Sequence, residues 1–269
     1  MATTGTWPVG VCTWSLQMGI TDVADTLDDL GVTHVHLAAG PAVEPEGGQY
    51  IAVVKEQAWT ITATMIDFPQ EDYSTLETIR KSGGVVPDQF WPANRERFLQ
   101  AAEVTARLGV PFLSMHAGFL EPEAPAAADK VRERIVILAD ASAAQGITLL
   151  LETGQETAEE MREFLEALDH PSLGVNFDPA NMILYDKGNP VEAVHTLAPW
   201  IKHVHVKDAL YTRKPGTWGT EVPWGEGEVD DQAFLRTLQE MNYSGALAIE
   251  REAGNQRVSD IRSAIEQLV

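Results

Sequence analysis

Cysteine is nearly absent. Cys12 stands alone in 269 residues, so no internal disulfide can staple the fold and no CxxC motif can form. No apolar run approaches the roughly 18–20 residues that a membrane-spanning helix needs. The opening Met1-Ala2-Thr3-Thr4-Gly5-Thr6-Trp7 lacks the basic segment followed by an apolar one that marks a secretion signal. These absences predict a soluble cytoplasmic protein with no membrane partner. Basic residues are scarce as well: 19 Lys and Arg stand against 40 Asp and Glu, a net charge of −21. Nucleic-acid affinity draws mostly on cations that neutralise phosphates. No stretch here is both basic and aromatic, so no DNA or RNA partner is expected. Such acidity suits a solvated, self-repelling surface. Neither a Gly-x-Gly-x-x-Gly fingerprint nor a Walker loop is present.

What the chain does contain is alternation. Short apolar runs at Val9–Trp14, His34–Ala38, Thr60–Ile66, Phe112–His116, Thr148–Glu152, Gly174–Asp178, Ile201–Lys207 and Ala246–Glu250 read as strands. Between them lie amphipathic stretches at Ile20–Leu30, Tyr50–Gln57, Arg95–Leu108, Ala126–Gln145, Ala158–Leu168, Val191–Leu197, Asp231–Asn242 and Ser259–Val269. In the third of these, Phe98, Ala101, Ala102, Val104, Thr105 and Leu108 recur at helical spacing. Eight βα units with no linker or composition break predict an α/β fold, one (β/α)8 TIM barrel spanning residues 1–269. Two connections are longer than ordinary, Asp67 to Asn94 and Ala209 to Asp230. Both follow strands, so both belong on the face where barrels carry their chemistry. The second holds Lys214-Pro215-Gly216-Thr217-Trp218-Gly219 and Trp224-Gly225-Glu226-Gly227, which suit a lid over a small ligand or a packed surface loop.

Four polar residues end or interrupt four successive apolar strands: Glu152, Asp178, His205 and Glu250. Strand side chains alternate between faces. If Leu149 and Leu151, Val175 and Phe177, Val204 and Val206, and Leu247 and Ile249 face the surrounding helices, then all four polar residues point into the barrel near its carboxyl end. Three carboxylates in a partly dry cavity repel one another and are costly to desolvate. A divalent cation would neutralise them. Carboxylate oxygens with one imidazole nitrogen suit a hard, octahedral ion such as Mn²⁺ or Mg²⁺, with Zn²⁺ and Co²⁺ as further choices. About two positions would stay open, enough for adjacent oxygens of a hydroxy-carbonyl compound. The two glutamates can also move protons. The competing reading is ion-paired barrel filling with Lys207 and Arg251 as partners.

Other residues are candidates for substrate contact. His116 has the same inward parity and suits either a substrate hydrogen bond or a core role. Lys207 lies two residues past His205 on the same side, as an oxyanion stabiliser or a counter-charge. Asn181 follows Asp178-Pro179-Ala180 and suits a turn or a contact. Trp14 and Trp224 suit stacking on a sugar ring or plain core packing. Glu156 at a helix start suits either the site or the helix dipole. His34 and His36 also point inward, His34 in a structural role and His36 open between roles.

The segments Leu150-Leu151-Glu152-Thr153, Asn176-Phe177-Asp178-Pro179-Ala180-Asn181, His203-Val204-His205-Val206-Lys207-Asp208, Pro223-Trp224-Gly225-Glu226-Gly227 and Gly245-Ala246-Leu247-Ala248-Ile249-Glu250 resemble the sugar phosphate isomerase/epimerase superfamily, the xylose isomerase-like TIM barrels. The likeness runs over nearly the whole chain. It implies that Glu152, Asp178, His205 and Glu250 ligate the metal and that Glu152 and Glu250 form the acid/base pair on opposite faces of a sugar substrate. A homodimer is ordinary for such barrels. Two positions depart from the usual pattern: His36 stands where an inward glutamate is common, and Asn181 where many epimerases have histidine. The expected enzyme is therefore a metal-dependent sugar isomerase or epimerase working through an enediolate. A dehydratase or lyase of an inosose or 3-keto-glycoside is the alternative. An endonuclease IV-like repair enzyme and a non-catalytic sugar-binding barrel are the remaining readings.

Overall fold

The β-favourable runs become strands β1 (Val9–Cys12), β2 (His34–Ala38), β3 (Thr60–Ile66), β4 (Phe112–Met115), β5 (Thr148–Glu152), β6 (Leu173–Phe177) and β7 (Ile201–Val206). A short pair, β8 (Asp208–Leu210) and β9 (Thr220–Val222), precedes β10 (Leu247–Ile249). A computed structural model describes residues 7–120 and 125–269. It closes eight strands into a barrel in the order β1-β10-β7-β6-β5-β4-β3-β2, with every neighbouring pair parallel. β8 and β9 form a separate antiparallel hairpin over one end. Residues 1–6 of the stretch read for a secretion signal lie outside the described residues. Among the described residues no helix is long and apolar enough to cross a membrane.

The helices are α1 (Ile20–Asp29), α2 (Gly40–Val43), α3 (Gly47–Glu56), α4 (Leu76–Ser82), α5 (Trp91–Arg107), α6 (Pro125–Ala144), α7 (Ala158–Leu168), α8 (Pro179–Leu184), α9 (Pro190–Leu197), α10 (Asp231–Glu240) and α11 (Arg257–Leu268). Local chemistry sets their ends. Thr157 caps α7 by accepting the Glu160 N–H while Glu160 accepts the Thr157 N–H, two orphan donors satisfied at once. α1 buries Val23, Ala24 and Leu27 on one face, the spacing of an amphipathic helix.

The alternation read from the sequence holds in space. Phe177 faces outward and stacks on Phe234 of α10, ring centroids 5.9 Å apart, and Trp224 meets Phe234 edge-on at 6.4 Å. The core therefore lies between the strands and the helix ring. The barrel interior is polar instead: His36 of β2 reaches His205 of β7 and Ser114 of β4, contacts between non-neighbouring strands that only an interior allows.

Several elements differ from the sequence expectation. β1 stops at Cys12, and Thr13–Leu16 forms a tight 3₁₀ turn ending in Gln17 at φ 52°. The stretch Asp67 to Asn94 carries its own helix, α4, capped by Thr75 and Thr78, and α5 begins at Trp91 rather than Arg95. The residues after Asp178 form α8 rather than a simple turn. The stretch after β7 contains the β8–β9 hairpin.

Phe234 is fully buried between β6 and the loop at Trp224. Phe234→Ala is expected to cost about 3–5 kcal/mol by cavity formation, measured by urea denaturation. The exposed Met18→Ala should stay within about 0.5 kcal/mol of the parent.

Candidate metal centre

Each member of the quartet is fixed by the element that carries it. Glu152 is the last residue of β5. Asp178 follows β6 and caps α8: its Oδ1 accepts the Asn181 N–H at 2.9 Å, which leaves Oδ2 free to face the barrel. Thr153 braces that turn, its Oγ1 accepting Asp178 N–H at 2.8 Å and donating to Asp178 O at 3.0 Å. His205 sits within β7 opposite Ala248 of β10, and Glu250 follows β10 with its N–H on Val206 O at 3.0 Å. His205 Nδ1 lies 3.2 Å from Glu152 Oε1, 3.4 Å from Asp178 Oδ2 and 3.4 Å from Glu250 Oε2. One ligating atom from each of the four residues lies within 4.8 Å of all the others.

The donor atoms fit a cation. His205 Nδ1, Glu152 Oε2 and Asp178 Oδ2 are buried and have no hydrogen-bond partner among the described residues. Orphaned buried polar atoms are costly, and here they converge. Lys207 is the nearest cation, its Nζ 2.8 Å from Glu250 Oε2 and 2.7 Å from Glu252 Oε2, so its one charge is shared. The three quartet carboxylates keep an excess of negative charge that a divalent ion would offset. The site is a candidate carboxylate–histidine metal centre.

A hydrogen-bond network behind His205 orients its lone pair. Ser114 Oγ donates to Thr64 O at 3.1 Å, so it accepts from His36 Nε2 at 3.0 Å. His36 Nδ1 is then an acceptor, 3.0 Å from His205 Nε2. Burial, with the neighbouring His205, pushes the His36 pKa down to about 3, which keeps the ring neutral. A second chain runs in parallel. Thr62 Oγ1 donates to Val35 O at 3.1 Å and accepts from His203 Nε2 at 2.9 Å. His203 Nδ1 thus needs a donor, and the Asn176 amide lies 2.9 Å from it and 3.1 Å from His205 Nε2. In the structure Asn176 Oδ1 faces His203 Nδ1 and Asn176 Nδ2 faces His205 Nε2. We assign the amide with O and N exchanged, an arrangement of the same shape, because only then does His203 Nδ1 meet a donor and His205 Nε2 an acceptor. Both chains end on backbone carbonyls, which only accept. His205 Nε2 therefore carries the proton, and Nδ1 is directed at the carboxylates, the arrangement a ligating imidazole needs. Burial opposes charge on His205, yet Cys12, Glu250 and Glu152, with Asp178, outweigh it and hold its pKa well above the ordinary value. A proton and a cation thus compete for the same nitrogen.

The other candidates fall as follows. Lys207 is buried and also contacts Glu252 at 2.7 Å and Asn181 Oδ1 at 3.3 Å. Asn181 Nδ2 donates to Glu152 Oε1 at 3.0 Å, so this side chain bridges the acid to the lysine. His116 Nε2 lies 3.4 Å from Glu152 Oε2. Trp14 Nε1 donates to Glu250 Oε1 at 2.6 Å, a contact made possible by the 3₁₀ turn. Glu156 Oε1 accepts the Leu120 N–H at 2.8 Å, and the residue does not line the cavity above the quartet. Trp224 packs into the core against Phe234. Arg251 pairs with Glu221 and Asp260 rather than with the quartet. His34 sits by Thr33 at 3.3 Å, away from the centre. The roles of Ser114, Thr62, Asn176 and His203 were not visible in sequence, because each depends on a partner across the barrel. A cavity of about 640 Å³ opens above the quartet, bordered by Trp14, His116, Asn181, Lys207 and Glu250.

Residues 74–268 match the family described as Xylose isomerase-like TIM barrel. The chain belongs to that family. A xylose isomerase domain protein from Planctomyces limnophilus is 33% identical, with 98% of this chain and 96% of that one covered at a TM-score of 0.89. Inosose dehydratase from Clostridium botulinum (strain Eklund 17B / Type B) is 29% identical over 126 residues, 42% of each protein. The 3-keto-D-glucoside 4-epimerase YcjR from E. coli shares the fold at a TM-score of 0.74 and 16% identity, covering 97% of this chain and 98% of that one. The chain spans less than half the length of the curated relatives it matches. Among the curated relatives that it matches are proteins named as inosose dehydratases, and a protein named as an epimerase shares its fold.

Titrating metal-free protein with Mn²⁺ in a calorimeter is expected to give one site per chain. Asp178→Asn should weaken it severely. His36→Leu, which removes the acceptor behind His205, should cost about 10–100-fold in affinity. His36→Gln, able both to accept from His205 and to donate to Ser114, should recover most of that loss. Full affinity in His36→Leu would contradict the orienting role.

Proposed function

We propose that this chain is a divalent-metal-dependent sugar isomerase or epimerase that removes a proton from the carbon beside a carbonyl of a ketose or related keto-sugar. The observation that carries the reading is the pairing of Glu152 and Glu250. They arrive from β5 and β10, strands separated by β6 and β7, and both lie within 3.4 Å of His205 Nδ1. Glu152, Asp178, His205 and Glu250 would hold the ion, and the predominance of carboxylate oxygens favours Mn²⁺, then Mg²⁺, over Co²⁺ or Zn²⁺. When bound, such a cation polarises a carbonyl and lowers the cost of negative charge next to it.

The chain's own groups supply the proton chemistry. Burial raises the Glu152 carboxyl, but His116 and His205 outweigh it and leave its pKa below the ordinary value. Burial also opposes ionisation of Glu250, and Lys207 with His205 holds it well below the usual range. Both glutamates are therefore ionised, so either can act as the base. One takes the carbon-bound proton, leaving an enediolate; the other takes a proton from solvent through the open cavity and delivers it to the opposite face or the adjacent carbon, and the first then releases its own proton to solvent. Trp14 and Lys207 grip Glu250, and Asn181 grips Glu152, which fixes where each acid can reach. Lys207 Nζ and His116 Nε2 border the cavity as donors to a developing oxyanion.

A second reading has specific support. If the enediolate expels a β-hydroxyl, the enzyme is a dehydratase, and that step needs an acid for the departing oxygen. His116 suits it: burial lowers its pKa, but Glu152 and Glu71 outweigh that and raise it. The sequence likeness to inosose dehydratase favours the same outcome. An endonuclease is disfavoured by the cavity wall, where Asp67, Glu71, Glu221 and Glu252 would oppose a phosphate backbone.

Glu250→Gln keeps the size of the side chain and its contact to Trp14 while removing the base. It is expected to fold normally and to lose at least about 10²-fold in turnover, read as deuterium incorporation into a keto-sugar in D₂O. Retained exchange would refute the assignment. The exchanged carbon and the product also separate epimerisation from elimination. The acidic cavity further predicts that a phosphorylated sugar binds no better than its neutral parent; clear preference for the phosphate in competition binding would contradict this.

A further inference from the structure

The cavity above the quartet is larger and more divided than one sugar ring requires. At about 640 Å³ it falls within the range of about 300–1,000 Å³ that takes drug-sized ligands. One side is polar, with His116, Asn181, Lys207 and Glu250 beside the metal ligands. Another side is apolar and aromatic, made by Tyr73, Leu184, Tyr185 and Trp218. Tyr185 and Trp218 of that wall belong to a small hydrophobic cluster apart from the barrel core, backed by Ile79 and Phe119, and Leu184 packs against both clusters. The members of the small cluster come from the loops after β3, β4, β6 and β7, so closing the barrel does not require them.

The wall is also built rather than incidental. Trp218 packs edge-on against Tyr185, ring centroids 4.6 Å apart. Its hairpin is pinned to α8 by the Gly219 N–H on Leu184 O at 3.0 Å, and a Cβ at Gly219 would meet Leu210 O at 2.6 Å. The buried Trp218 Nε1 has no acceptor among the described residues. Burying an indole N–H unpaired carries a cost.

We propose that the substrate is an uncharged glycoside rather than a free monosaccharide, with its keto-sugar ring over the quartet and an apolar, preferably aromatic, aglycone against Tyr73, Leu184, Tyr185 and Trp218. The proposal rests on the reading of the polar side as a keto-sugar site. The cavity's acids exclude an anionic aglycone, since Lys207 is already shared between Glu250 and Glu252. Flat rings stack on such aromatic walls, and a planar aglycone buries more apolar surface there than a methyl group does.

The test measures dissociation constants for matched phenyl and methyl glycosides of glucose, galactose and mannose, both anomers, by calorimetry on the Mn²⁺-loaded full chain. At least one phenyl glycoside is expected to bind roughly tenfold or more tightly than its methyl partner. Trp218→Ala should reduce that ratio to about threefold or less, and Trp218→Phe should restore most of it. The proposal is overturned if no phenyl glycoside outbinds its methyl partner, or if the ratio survives in Trp218→Ala. Solvent deuterium exchange into a free keto-sugar without any phenyl preference sinks this inference alone. Phenyl preference without exchange into any keto-sugar or keto-glycoside sinks the proposed reaction instead.

Discussion

Three carboxylates held within reach of one imidazole, in the interior of a protein, set the terms for the rest of this barrel. Charges removed from water are costly unless paired, and Glu152, Asp178 and Glu250 are all at most 5% exposed. One cation of the chain, Lys207, is spent on Glu250 and Glu252. The remaining imbalance is what a divalent ion would correct. The polar barrel interior follows from the same constraint, because the imidazole at the centre must present a lone pair to that ion. Two hydrogen-bond chains, through His36 to Ser114 and through Asn176 to His203 and Thr62, fix which nitrogen carries the proton. Hydrophobic layers, the common filling of such barrels, could not do this.

The sequence segments that surround the site also brace it. Asp208, next to the site lysine, accepts the N–H groups of Ala209, Gly225, Gly227 and Val229 through its carboxylate. A Cβ on Gly227 would lie 2.1 Å from Asp208 Oδ1, and Gly225 has φ +84°. Those two glycines are there because a carboxylate gathers the loop that tightly. Burial raises the Asp208 pKa despite these four donors. Likewise Asp178 serves twice, one oxygen capping α8 and the other facing the quartet. Structure and candidate chemistry share residues here, so the site is stiff at its base, while the aromatic wall stands on loops.

Much of this was legible in the chain. Period-2 alternation in four strands gave the inward direction of Glu152, Asp178, His205 and Glu250, because the outward residues just before them, Phe177 and Val204 among them, are apolar. Arg251 was one candidate counter-charge, but it follows Glu250 on the opposite side and finds Glu221 and Asp260. Trp14 continues the apolar run of β1, and the 3₁₀ turn that aims its N–H at Glu250 has no strong local signal. α8 was concealed because Asp178 reads as a strand end when its capping role is what starts the helix. His36 stayed open between roles, since its meaning depends on His205 and Ser114, 169 and 78 positions away. Long-range pairings of this kind leave no periodic trace. In the chain Trp218 stands only in a glycine-rich loop, and the wall it builds depends on Tyr185 from another loop.

The most direct test of the central claim is anomalous diffraction at the manganese edge from crystals of the protein grown with Mn²⁺. The account predicts a single strong peak enclosed by the carboxylates of Glu152, Asp178 and Glu250 and by Nδ1 of His205, with His205 Nε2 still on His36. A peak elsewhere, or none with Lys207 turned inward to fill the ring, would contradict it.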